Sequence, residues 1–75
     1  MAGEDPAYHV RPHGDVWKVT IPGDSQPLSF HATREEAIAR AAFVAQAQPR
    51  GRIVIHRGDD TVEREERLGP DPHPH

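Results

Sequence analysis

The chain has 75 residues, a net charge of −3, six histidines and no cysteine. A chain of that length makes one small domain that buries only about 60% of its unfolded surface, and without cysteine it has neither a disulfide framework nor a thiolate zinc site to add stability. No apolar run approaches the ~20 residues needed to span a bilayer, and no basic stretch leads an apolar segment as in a secretory signal, so a cytoplasmic protein is expected.

Met1 to Ala7 are small and polar and read as a disordered lead-in. Tyr8 to Pro12 alternates Tyr8 and Val10 with His9 and Arg11, the period of a half-buried strand. After a turn at His13-Gly14-Asp15, Val16 to Ile21 places Trp17, Val19 and Ile21 on one face and Val16, Lys18 and Thr20 on the other. Pro22-Gly23-Asp24-Ser25 reads as a turn. Leu28 to His31 makes a third strand, with Leu28 and Phe30 expected inward.

Thr33 and Glu36 then form a capping-box pattern at the start of a helix expected from Arg34 to Ala47 or Gln48. Glu35 and Glu36 lie near its positive end. Ala37, Ile38, Ala41, Ala42, Val44 and Ala45 occupy one arc at 100° per residue and should face the sheet. Pro49-Arg50-Gly51 cannot continue the helix. Arg52 to Arg57 has Ile53-Val54-Ile55 at its centre, a β-branched run that suits a strand buried on both faces. Gly58-Asp59-Asp60 is a turn, and Thr61 to Arg67, charged except for Val62, reads as a solvated edge strand. From Gly69 to His75 no hydrophobic residue occurs, so a disordered tail is expected.

These elements predict a two-layer α+β domain over residues 8–68, in the order β-β-β-α-β-β. One helix packs on one face of a mainly antiparallel sheet. The expected core is Tyr8, Val10, Trp17, Val19, Ile21, Leu28, Phe30, Ile38, Ala41, Val44, Ala45, Ile53 and Ile55.

Three blocks carry a resemblance: His9-Val10-x-Pro12-x-Gly14-x-x-Trp17-x-Val19, Thr33-x-x-Glu36-Ala37-Ile38-x-Arg40-Ala41, and Ile53-Val54-Ile55-His56-x-x-Asp59. Over Tyr8 to Leu68 the chain resembles the bacterial family called domain of unknown function 2188. The resemblance implies a small sheet-plus-helix domain and no established activity. The chain departs from the family in two places. Asp59-Asp60 stands where the family's turn usually ends in Asp-Gly, which implies a wider, looser hairpin. Phe43 stands where the family usually has a polar residue.

Phe43 lies away from the main apolar arc, roughly opposite Ile38, and with Ala39 and Ala47 makes a second, narrower apolar row. That row is the candidate partner face, with self-association the expected use, since an aromatic anchor can dominate an interface. The alternative is weak nucleic-acid binding through the sheet or through a patch of Arg11, Arg50, Arg52 and Arg57. Between Tyr8 and Gly69, however, nine basic residues balance nine acidic ones, and a nucleic-acid-binding domain normally carries a basic excess. Trp17 is read as core rather than as a stacking platform.

Neither a metal nor a cofactor is expected. His9 and His13 are four apart on a strand and a turn, His31 and His56 end strands, and His73 and His75 lie in the tail, so no ligand set converges. His56 is expected to bond to its neighbouring turn. Ser25 and Ser29 have no paired base and acid, and no glycine-rich loop cradles phosphate. The expectation is a non-enzymatic interaction module with no small-molecule substrate.

Overall fold

The computed structural model describes residues 7–21 and 26–70. Its elements are β1 (Ala7–His13), β2 (Val16–Thr20), β3 (Ser29–His31), α1 (Arg34–Gln46), β4 (Arg52–His56) and β5 (Val62–Arg67). They form one five-stranded sheet in the order β3-β2-β1-β4-β5, with α1 on one face. Three pairs are antiparallel; β1 and β4, side by side at the centre, run parallel. Parallel neighbours need a crossover, and here β2, β3 and α1 together make it. The expected α+β architecture is the one observed. The expected turn at Pro22 to Ser25, the lead-in through Pro6 and the tail from Asp71 lie outside the described residues.

Tyr8 and Val10 of β1, Val19 of β2 and Ile53 and Ile55 of β4 form the core with Ala37, Ala41 and Ala45, and Trp17, Ile21, Ile38 and Val44 pack against it partly buried. The helix therefore buries a narrower stripe than its apolar arc suggests. Three alanines at four-residue spacing have no side chain beyond Cβ, so the helix axis can approach the strands closely. Thr33 caps α1, its hydroxyl accepting from the Glu36 N–H at 3.1 Å. The helix ends at Gln46 with Ala47 as C-cap, before Pro49 can interrupt it.

Two expected core residues are not core. Leu28 is 39% exposed and Phe30 53% exposed. The register explains Phe30: Trp17 pairs with His31, Lys18 with Phe30 and Val19 with Ser29. Paired residues share a face, so Ser29 and His31 lie on the helix side and Phe30 lies with Lys18 on the open side. A strand's side chains alternate, and a phase error of one residue exchanges its faces. Leu28 precedes the three-residue strand and donates its N–H to Val19.

The folded unit is slightly longer than 8–68 at both ends. Ala7 begins β1 and is buried. At the other end Leu68 and Gly69 both donate to the Gly51 carbonyl, at 2.9 and 2.8 Å, and Arg50 donates to Pro70 at 2.8 Å. This clasp is packed so tightly that a Cβ on Gly51 would lie 2.0 Å from the Ala45 carbonyl oxygen, and one on Gly69 would lie 1.9 Å from that of Gln48. Only glycine fits at either position.

Candidate functional site

The outer row of α1 is where the helix period places it. Ala39, Phe43 and Ala47 are all exposed, Phe43 by 63%, and the Arg40 guanidinium lies 6.0 Å from the Phe43 ring centre. The row faces away from the sheet, with the small side chains of Ala39 and Ala47 one turn to either side of the ring.

The four arginines do not converge. Arg52 opens β4 and Arg57 follows its end, about 16 Å away at ~3.3 Å per residue. Arg50 lies beyond Arg52 in the clasp, and Arg11 lies at the hairpin end. Arg11 donates from Nε and Nη2 to the two Asp60 carboxylate oxygens at 3.0 and 2.6 Å, and Arg52 donates to Glu65 at 2.9 Å. Arg11 and Arg52 of the expected patch are thus already paired with acid.

The side of the sheet without a helix has its own character. Register places Arg11, Lys18 and Phe30 in one row across β1, β2 and β3, and the Phe30 ring lies 5.4 Å from that of His13. The exposed aromatic among cations is therefore Phe30, while Trp17 packs on the helix side beneath the Arg34 guanidinium, 6.0 Å from its ring centre.

One constellation depends on a pairing that the sequence does not specify. Parallel pairing of β1 with β4 sets Tyr8 beside Ile53, His9 beside Val54 and Val10 beside Ile55. That brings the His9 Nδ1 to 2.9 Å from the His56 Nε2, across 47 positions of sequence. His56 is only 6% exposed, and its Nδ1 lies 3.0 Å from the Asp60 carbonyl oxygen, the bond to the turn that was expected. A carbonyl only accepts, so His56 carries its proton on Nδ1. When neutral, its Nε2 must then accept, and His9 donates from Nδ1. The relay runs His9 to His56 to Asp60, with the Asp60 carboxylate 3.4 Å from His56 Nδ1 and tied to Arg11. Burial holds His9 below its ordinary value of 6.5, helped by His56, Arg11 and Arg52 and opposed by Glu65. Hydrogen bonding to Arg11 lowers Asp60 in turn.

The turn that carries Asp60 is tight, not the looser hairpin its Asp-Asp implied. Asp60 donates its N–H to Arg57 at 2.8 Å and Arg57 donates to Thr61 at 2.7 Å, while the Asp59 carboxylate accepts from the Thr61 N–H and hydroxyl at 3.1 and 2.6 Å. Asp60 has φ 72°, the left-handed residue that closes a three-residue hairpin loop. The sequence did contain one signal for the relay: His9 heads the first of the three resembling blocks and His56 lies within the third.

Among the described residues, no group of three or more His, Asp or Glu side chains could hold a metal ion, and no helix is long and apolar enough to cross a membrane. No curated protein and no solved structure matches the chain. A family model described as an uncharacterized protein conserved in bacteria matches residues 8–67. That match covers the helix and all of the strands except Ala7, both histidines of the relay and the Asp60 turn, and the chain belongs to this family, DUF2188.

Proposed function

We propose that this domain is a non-catalytic interaction module that pairs with a second copy of itself through the outer row of α1. The observation that carries the reading is Phe43, a large ring 63% exposed on a helix whose opposite face is already committed to the core. The row is small-large-small about Phe43, so it is self-complementary. Two antiparallel copies related by a two-fold axis at Phe43 would set Ala39 of each against Ala47 of the other, leaving room for the two rings to stack offset. An unrelated partner would not require that symmetry.

Light scattering over a range of concentrations tests it. The expected result is a dimer mass for the wild type, rising with concentration, and a monomer mass for Phe43→Glu. A wild-type monomer at high concentration overturns the reading, as does a Phe43→Glu variant that still dimerises.

A second reading draws on Phe30. An exposed ring beside Lys18 and against His13, on an open sheet face, suits stacking of a single-stranded nucleic acid. The balanced charge and the paired Arg11 and Arg52 weigh against it. Titration of labelled single strand and duplex at two salt concentrations decides: binding should be salt-steep and weakened by Phe30→Ala. No binding at low salt removes the reading.

A further inference from the structure

We infer that the His9–His56 pair is a proton-sensitive latch on the β4–β5 hairpin: it holds the hairpin turn to the central strands while it carries at most one proton, and a second proton releases it. The inference rests on the relay alone and not on the Phe43 face.

The nitrogen count sets the limit. With both rings neutral, His9 Nδ1–H donates to His56 Nε2 and His56 Nδ1–H donates to the Asp60 carbonyl, and every buried ring nitrogen is satisfied. One added proton fits. It sits on the outer nitrogen of His9, or on His56 with the bond between the rings reversed, and in each case a single N–H lies between the rings. A second proton does not fit. Two N–H groups would then face each other across 2.9 Å with no acceptor, on two cations whose ring centres are 5.2 Å apart.

The surroundings add to the strain. Arg11 of β1, Lys18 of β2 and Arg52 of β4 line the same face, against Glu65 of β5 and the Asp60 carboxylate, and those two acids are bonded to Arg52 and Arg11. Net negative charge is therefore not at hand to hold a doubly protonated pair. His56, buried at the end of β4, can be hydrated only by leaving its place, which breaks its bond to Asp60. The register already shifts there, because β5 pairs Arg64 with Ile55 and Val62 with His56 and leaves Glu63 as an extra residue between them, and β5 is an edge strand. Local opening of the hairpin disturbs less buried structure than opening of the sheet.

Nuclear magnetic resonance on the full chain tests the latch. At pH 7.5, long-range nitrogen–proton spectra of the rings should show both His9 and His56 protonated on Nδ1. Between pH 7.5 and 5, hydrogen-exchange protection factors of the Arg57 and Asp60 amides should fall about tenfold or more, the scale of one lost buried hydrogen bond, while the β1 and β2 amides keep theirs. His9→Asn should abolish the fall, since its amide can donate to neutral His56 and turn its oxygen to accept from the protonated ring. A neutral His56 protonated on Nε2 overturns the latch, as does a uniform loss of protection across the sheet. So does an equal acid response in wild type and His9→Asn. The wild-type measurements decide it even if the variant fails to fold.

Discussion

At Asp60 a backbone requirement and a side-chain role fall on the same residue. Its φ of 72° is a conformation that glycine enters freely and that asparagine and aspartate tolerate better than other residues. Glycine there would relax the backbone but would lose the carboxylate that holds Arg11 beside the histidine relay. Alanine would lose the carboxylate and keep the strain. Asp60→Ala should therefore lower the urea midpoint more than Asp60→Gly does, with the two variants measured side by side. The relay also gives stability a pH dependence. Burial lowers His9 from 6.5, so below that value the unfolded chain binds a proton that the folded chain does not. Stability is then full above about pH 6.5 and falls as the pH drops toward the lowered folded value. Asp59, Asp60 and Glu63 are lowered from 3.8, 3.8 and 4.5 by hydrogen bonds from Thr61, Arg11 and Arg34. Their contribution is present above those values and is lost as the pH falls further. Urea midpoints from pH 8 to pH 3 should decline in two stages, one near each range.

Among the elements, α1 follows most directly from local chemistry. Thr33 supplies the cap, alanine the helix propensity and Pro49 the end, and each acts within a turn of its own position. The tertiary structure adds that only Ala37, Ala41 and Ala45 are buried outright, which makes close approach to the sheet a requirement. Ala41→Leu should then overpack the interface and destabilise the domain by about 1–3 kcal/mol, measured by urea denaturation. β4 and β5 were also legible, the first from three consecutive β-branched residues and the second from a charged run that suits an edge. β3 was not. Leu28, Ser29, Phe30 and His31 fit either phase of a short strand, and hydrophobicity alone favoured the phase that hides Phe30. Pairing with β2 chose the other one, because Ser29 and His31, joined at 2.8 Å, lie on the helix side with Val19 and Trp17.

For the whole molecule, the extent of the domain follows from backbone bonds and not from hydropathy. Gly69 and Pro70 carry no signal of folding in a polar, proline-rich stretch, yet both bond back to the loop after α1. A chain spanning residues 8–68 should melt lower than one spanning 7–70, both followed by circular dichroism, because it loses buried Ala7 and the bonds of Gly69 and Pro70. Period and capping determined the strands, the helix, their order and the edge role of β5, because those depend on residues within a few positions of one another. The outer row at Phe43 was legible for the same reason, since a helix face is a local property. The tertiary structure decided the face on which Phe30 lies, the pairing that neutralises Arg11 and Arg52, and the meeting of His9 with His56. Each of these depends on the register between strands far apart in the chain. Local periodicity does not specify that register; packing of the whole sheet against α1 does.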